Sequence, residues 1–402
     1  MSQTVKPITP PTPISPILPG AAGEVTLGVV GGGQLGRMFV QAAQAMGYFT
    51  AVLDPDITSP AGLVAHYHIG TGYLDEQGLA QLMQRSAAIT TEFENVPAGA
   101  LVTLGAYRPV APGADAVAIC QDRTEEKAHF VRSGVPCAPY AVIDSDAALA
   151  AVPDALLPGI LKTARLGYDG KGQLRVADRA ALAAAWQQLR QVDCVLEALL
   201  PLALELSVVV ARDAFGDMVA LPVQQNLHRD GILAVTQVPA PDATAEQQAQ
   251  ALRCAQALAE AMGYVGVLCV EFFVLADGSL VANEMAPRPH NSGHWSIDGA
   301  DCSQFELQVR TLAGLPLVAP RQHSAAVMLN LLGDLWFDAS GAERAPRWPA
   351  LLALPGVHLH LYGKASPRPG RKMGHLTVTA ATPAQARQVA LQAAELLGLP
   401  AF

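Results

Sequence analysis

The sequence predicts an α/β and α+β chain that changes character twice: an open, mostly parallel sheet first, then an α+β region with antiparallel strands, then a small β-rich module. Three observations carry this. From residue 25 to about residue 120, short β-branched runs alternate with amphipathic stretches. From 204 to 238 the apolar residues alternate with period two, and after about Pro320 three further strand-like segments precede a last amphipathic run. At 402 residues there is room for two to three domains, each of about 150 residues and able to bury its own core.

In chain order, the first 24 residues are rich in Pro, Thr and Ser and lack the apolar core of a signal peptide, which predicts a disordered leader on a cytoplasmic protein. Residues 25–30 predict a strand, Gly31-Gly32-Gly33-Gln34-Leu35-Gly36 a turn, and 37–46 a helix. A second strand over 49–53 ends at Asp54, and one over 88–91 leads into Glu92-Phe93-Glu94-Asn95. A helix over 123–133 stops at Gly134 and Pro136. Residues 141–210 form a second αβ region, broken by the glycine-rich stretch 166–173. Thr244 is placed to cap a helix reaching Met262, and 265–284 predicts a hairpin about Asp277-Gly278. The last module offers strands at 323–332, 357–362 and 375–379 and a helix at 383–397.

Charge and cysteine content narrow the function classes. Lys and Arg number 26 against 35 Asp and Glu, a net charge of −9, which argues against duplex nucleic acid or an anionic membrane as the main partner. The mean hydropathy of +0.26 comes from alanine-rich amphipathic runs, and the longest apolar stretch, 195–210, holds Glu197, Pro201 and Glu205, so no membrane-spanning helix is expected. Six scattered cysteines without a CxxC predict reduced thiols packed as small hydrophobes.

Five constellations could carry chemistry. Gly31-x-Gly33-x-x-Gly36 between strand and helix, with Asp54 ending the next strand, fits a dinucleotide, another phosphate-bearing ligand, or a tight turn with no ligand. Gly167-Tyr168-Asp169-Gly170-Lys171-Gly172 offers free N–H groups and a lysine, and Lys162 on the strand before it could reach the same phosphates; a lid over a nucleoside triphosphate is favoured over a solvated hairpin loop. With Asp277 and Gly278 as a two-residue loop, Glu271 falls opposite Glu284. Their Cβ atoms would be about 4.5–5.5 Å apart, unfavourable for like charges unless a divalent cation bridges them. Directly after, Arg288, His290, Asn291, Ser292 and His294 crowd a proline-stiffened run, a density of oxyanion and proton-transfer groups that packing does not explain. Finally, Lys364, Arg368, Arg371 and Lys372 lie on Pro/Gly loops, either a phosphate clamp or a solvated basic surface.

Taken together, GGGQLGRM (31–38), TEFENV (91–96), GYDGKGQ (167–173), NLHRDGIL (226–233), NEMAPRPHNSGHW (283–295) and RPGRKMGHL (368–376) resemble the N5-carboxyaminoimidazole ribonucleotide synthetase family, also described as the ATPase subunit of phosphoribosylaminoimidazole carboxylase. The resemblance runs from about residue 25 to the C-terminus. It implies an ATP-grasp fold: a Rossmann-like pre-ATP-grasp domain over 25–122, an ATP-grasp domain over 123–318 with a lid subdomain at about 141–210, and a small C-terminal β-rich domain over 319–402. It implies ATP, Mg²⁺, bicarbonate and aminoimidazole ribonucleotide as cofactors and substrates, carboxyphosphate as intermediate, and a homodimer. ATP contacts are expected from Arg123, Lys162, Gly167, Tyr168, Asp169, Gly170, Lys171, Gly172, Gln173, Glu205, His228, Asn283 and Glu284. Glu197, Ala198, Leu199 and Leu200 would form the adenine hinge, and Glu205 would take the ribose hydroxyls. Glu271 and Glu284 would hold the metal. Arg288 would stabilise carboxyphosphate, and His290 with Lys364 would manage the proton of the amine. The ribonucleotide would be held by Gln34, Leu35, Asn291, Ser292, Lys364, Arg371 and Lys372, so the first glycine motif serves substrate and not NAD.

Two positions depart from the family pattern: Leu166 replaces a common glycine, expected to stiffen the lid, and Gln225 replaces a more usual Glu or His beside the nucleotide contacts near His228. The alternatives are a formate-using glycinamide ribonucleotide transformylase, which should lack the APRPHNSGHW segment, an NAD-dependent oxidoreductase, and a nucleotide-sensing protein without catalysis.

Overall fold

Four parallel strands build the first sheet, in the order Tyr67–Ile69, Phe49–Leu53, Thr26–Val30, Ala88–Thr91. The strand Thr26–Val30 is buried along its whole length, as its uncharged TLGVV run suits a strand covered on both faces. The computed structural model describes residues 15–20, 23–167 and 172–402. The expectations for Tyr168, Asp169, Gly170 and Lys171, and for residues 1–14, 21 and 22 of the leader, therefore lie outside the described residues.

The rest of the expected leader needs correction. The Ile17 N–H donates to the Ala313 carbonyl (2.8 Å), and its own carbonyl accepts from the Tyr48 hydroxyl (2.6 Å). Its side chain packs on the cluster that holds Tyr48, Phe305 and Leu312. The Pro/Thr/Ser average hid one isoleucine with an apolar seat to fill.

A four-stranded antiparallel sheet forms the middle unit, ordered Tyr140–Ile143, Cys194–Ala198, Gly159–Thr163, Gln173–Val176, around its own core of Leu161, Leu182, Trp186 and Leu196. Beyond it lies the largest sheet, nine strands in which Leu202–Arg212 is flanked by Gly266–Leu275 and Gln224–Arg229. Next come Ile232–Val238 and then Ala325–Leu332, so the C-terminal strands Lys372–Ala380 and Val357–Leu361 continue the same sheet. The helix Ala245–Ala261 covers one face and begins in a capping box of Thr244 with Gln247.

The hairpin is built differently from the two-residue loop expected. Leu275 N–H bonds the Ser279 carbonyl, so the tip is one residue longer than Asp277-Gly278 alone. Phe272 pairs with Ala282, yet Glu271 pairs with Glu284: a bulge at Asn283 restores the register that the longer tip had shifted.

Candidate active site

Two cavities, of about 890 Å³ and about 570 Å³, meet in the cleft between the sheets. Six residues line both: Arg123, Glu271, Glu284, His290, Asn291 and Lys372. The larger cavity opens between the first glycine turn and the basic C-terminal loop; the smaller lies between the middle sheet and the nine-stranded sheet.

The glycine turn is not vacant for a dinucleotide. Gly32 N–H donates to Asp54 (2.7 Å), Gly33 N–H to Glu92 Oε1 (2.9 Å) and Gly36 N–H to Glu92 Oε2 (3.1 Å). Asp54 also accepts from the Tyr73 hydroxyl (2.7 Å). A Cβ at Gly33 would sit 2.5 Å from the Glu92 carboxylate, so the glycines admit a carboxylate of the chain itself where the sequence argument brought in a ligand. The amides of Gln34 and Leu35, in the first turn of Gln34–Ala45, have no intrahelical partner and no other among the described residues, and both residues line the larger cavity. Across it stand Lys364, Arg368, Arg371 and Lys372. Their loop is anchored: Gly370 N–H donates to Asp334 (2.8 Å), Arg371 to the Ser366 carbonyl (2.7 Å), and Lys364 Nζ to the Lys372 carbonyl (2.6 Å).

At the junction, burial and the charge of Glu284 push Glu271 up, while Arg123, 3.1 Å from Glu284 Oε2, holds Glu284 low against its own burial. The two carboxylates are thus pushed apart, Glu271 up and Glu284 down. Glu271 Oε1 is a buried oxygen without a hydrogen-bond partner among the described residues. Two carboxylates with an orphaned buried oxygen form an all-oxygen donor set that fits a hard divalent cation.

His290 Nε2 lies 3.7 Å from Glu271 Oε1, and its Nδ1 accepts from the Ser292 N–H (3.3 Å), beside Ser292 Oγ (2.9 Å). That acceptor role leaves the proton on Nε2, so the ring presents a donor to the junction. Burial first, then Arg288 and Lys372, hold its pKa well below the ordinary histidine value, and the ring is neutral. Ser292, expected on the substrate, is fully buried, lines neither cavity and bonds Ser207 (2.7 Å): its place is behind His290, fixing that ring. Asn291 lines both cavities with its amide nitrogen and oxygen buried and without a hydrogen-bond partner among the described residues. Arg288 is ion-paired through Nε to Glu94, which keeps it charged despite burial.

In the smaller cavity, Glu197 is not an open hinge side chain. Its carboxylate is buried between Lys162 (3.0 Å) and Lys127 (3.1 Å). Ala198 and Leu199 spend their amides on the carbonyls of Pro139 and Pro158, leaving the Leu200 N–H without a partner among the described residues. Glu205 is bonded to His228 Nδ1, and both face this cavity with Gln173, Gly172 and the bulged Asn283; Gly167 lines the larger one. Sequence reasoning missed Lys127, fully buried, whose Nζ also reaches the Asn283 carbonyl (3.0 Å). The signal was present: Lys127 is one turn beyond Arg123 on the helix Arg123–Arg132.

The two departures resolve differently. Leu166 adopts φ +62°, the left-handed region a glycine would take without strain, with its side chain exposed. Gln225 lines neither cavity; its amide clasps Asp242 through both ends (2.7 and 2.9 Å), so its side chain is committed within the protein.

Antiparallel sheets closing on a cleft with a carboxylate pair and buried lysines, preceded by a parallel α/β unit, define an ATP-grasp protein. An ATP-grasp domain matches residues 128–305, a ribonucleotide synthetase preATP-grasp domain 25–121, and a phosphoribosylaminoimidazole carboxylase C-terminal domain 326–389. N5-carboxyaminoimidazole ribonucleotide synthase of Brucella melitensis is 45% identical over 356 residues, covering 88% of this chain and 95% of that one. The Bacillus subtilis enzyme of the same name is 39% identical over 362 residues, covering 90% and 92%. Among solved structures, N5-carboxyaminoimidazole synthetase of Staphylococcus aureus with ADP superposes with a TM-score of 0.82 at 36% identity, covering 92% and 96%. The Aspergillus clavatus synthase with ADP and 5-aminoimidazole ribonucleotide gives 0.84 at 29% identity, covering 93% and 99%. The chain belongs to the N5-carboxyaminoimidazole ribonucleotide synthase family.

Proposed function

We propose that this chain is an ATP-dependent carbon–nitrogen ligase that carboxylates 5-aminoimidazole ribonucleotide with bicarbonate, giving ADP, phosphate and the N5-carboxy product in purine biosynthesis. One observation carries the reading: the Glu271–Glu284 pair stands where the two cavities meet, so a nucleotide in one and a ribonucleotide in the other would react across it. The names of the relatives, and the ADP and ribonucleotide bound in the Aspergillus clavatus relative, supply the substrates.

In this reading ATP lies in the smaller cavity, its adenine edge at the Leu200 N–H and its phosphates toward Lys162, Arg123 and the glycine-rich loop. Mg²⁺ held by Glu271 and Glu284 would neutralise charge on the transferred phosphoryl group. Bicarbonate oxygen attacks the γ-phosphorus and ADP leaves, giving carboxyphosphate. Arg288 balances its charge, and the neutral His290 donates Nε2–H to an oxyanion, a sharper role than the proton manager first expected. The ribonucleotide amine then attacks the carboxyl carbon, the C–O bond to the phosphoryl group breaks, and the departing phosphate takes up the amine proton. The Gln34 and Leu35 amides with Arg371 and Lys372 bracket the ribonucleotide phosphate, Asn291 completes the junction, and Lys364 stands beside the reacting amine. Mg²⁺, a homodimer and a cytoplasmic location belong to the same proposal, as do the three domain boundaries given above.

The test is ADP release from the full chain with ribonucleotide and bicarbonate together and with each omitted. Release that depends on both is expected; release indifferent to the ribonucleotide refutes the assignment.

A further inference from the structure

A second cluster of ligating side chains lies at the seam between the C-terminal strands and the segment that follows the catalytic run. Antiparallel pairing sets His360 of Val357–Leu361 directly opposite His375 of Lys372–Ala380, and His358, two residues earlier, shares that face. The short helix Ser296–Gly299 brings Asp298 onto it: Asp298 Oδ2 is 2.8 Å from His360 Nε2, and Oδ1 is 3.7 Å from His358 Nδ1. The His360 and His375 rings stack at 4.5 Å with 13° between planes. One donor atom each of Asp298, His360 and His375 lies within 4.8 Å of the other two.

His375 makes this more than a surface pair. Its ring is fully buried; Nδ1 is 3.0 Å from the Tyr362 hydroxyl, and Nε2 has no partner among the described residues. A buried imidazole nitrogen left unsatisfied is costly and calls for a ligand. Burial, with His294 and His360 nearby, holds the ring neutral. Zinc binding selects the tautomer in which Nδ1–H donates to the Tyr362 oxygen and Nε2 keeps its lone pair, the arrangement in which a second hydrogen bond orients a metal-binding histidine.

We propose that Asp298, His360 and His375, with His358 as fourth donor, form a binding site for a divalent transition cation of the zinc type, separate from the Glu271–Glu284 pair. Three imidazoles and one carboxylate suit zinc, whereas magnesium takes oxygen donors. Bonds of about 2.0–2.1 Å place tetrahedral donors about 3.3 Å apart, so the donors of Asp298, His360 and His375, all within 4.8 Å of one another, close by at most about 1.5 Å, and His358 turns inward to join them. His358 and His360 keep 41% and 28% of their side-chain surface exposed, which leaves both an entry path and room to turn. A bound ion would fasten the segment carrying Asp298 to the C-terminal strands. The His294 ring is 4.9 Å from that of His375, and its Nδ1 bonds the Gln304 amide that also clasps the backbone of His290.

The experiment is a Zn²⁺ titration of the untagged, chelator-stripped full chain with Mg²⁺ in excess, followed by calorimetry and by the absorption spectrum of the Co²⁺-substituted protein. One ion per chain is expected, with a tetrahedral cobalt spectrum. Asp298→Asn and His360→Gln should each weaken binding about 10-fold or more, and Glu271→Gln should leave it unchanged. Two outcomes overturn the site: no zinc bound by the wild-type chain, or zinc lost with Glu271→Gln while His360→Gln retains it. If either seam variant folds poorly, His358→Gln, on the exposed side, serves in its place and should weaken binding and alter the cobalt spectrum; an unaltered spectrum counts against the site.

Discussion

Replacing Glu197 by Gln should destabilise the chain, because the carboxylate is the shared counter-ion of two buried lysines. Lys127 is fully buried and Lys162 nearly so, at 3.1 and 3.0 Å from the carboxylate oxygens. Gln keeps the shape and one acceptor oxygen but leaves two ammonium groups facing each other in a low-dielectric site. Removing one partner of a buried pair costs about 3–5 kcal/mol, and the retained oxygen sets the expectation at about 3 kcal/mol. With a urea slope of about 3 kcal/mol/M that lowers the denaturation midpoint by about 1 M. Hydrogen exchange should locate the loss in the strands Gly159–Thr163 and Cys194–Ala198. The decisive step is Lys127→Met added to Glu197→Gln: removing the stranded charge should recover about half of the loss. A Glu197→Gln loss under about 1 kcal/mol, or a double variant weaker than the single, would refute the reasoning.

Three further outcomes are expected. Glu92→Gln replaces one acceptor of the glycine turn with an amide donor facing the Gly33 or Gly36 N–H; KM for the ribonucleotide should rise about 10-fold, the loss of one charge-assisted bond, with KM for ATP unchanged in the same steady-state assay. Glu126 is held up from 4.5 to about 7, burial outweighing Arg123 and Lys127, so the folded state binds its proton more tightly and stability falls as pH rises from about 4.5 to 7. Glu126→Gln keeps an acceptor for the Met285 N–H, should flatten that slope and should add up to about 3 kcal/mol above pH 7, read from urea midpoints across pH. His290→Ala should leave ADP affinity within about twofold while turnover falls about 100-fold or more, whereas Glu284→Gln should abolish turnover and its magnesium dependence; retained activity in either variant removes that residue's role.

Much of this molecule was legible because local chemistry and tertiary need agree along the chain. The parallel sheet, the capped helix at Thr244 and the opposed glutamates follow from periodicity, an N-cap and a turn signal. The glutamate pairing was reached through a loop one residue too short, and it stands only because the bulge at Asn283 cancels the error. What stayed hidden depends on partners distant in sequence. Glu92 takes amides 56 and 59 residues away, so the glycine motif looked open to a ligand. Ser292 sits in a reactive-looking run, but Ser207, 85 residues away, turns it inward. Lys127 was on the correct helix face, yet only the fold shows that Glu197 meets it.

The nine-stranded sheet has a mechanical consequence. Glu271, Glu284, His228 and Lys372 all ride on strands of one hydrogen-bonded ladder that continues into the C-terminal module. The middle four-stranded unit, which carries Lys162 and Glu197, hangs on a ladder of its own. In the image of an anvil and a hammer, the spacing between the Glu271–Glu284 pair and Lys372 is set within one ladder, whereas the spacing from that pair to Lys162 depends on the packing of two. Under load, or on warming, the gap between jaws should change well before the layout of the anvil does.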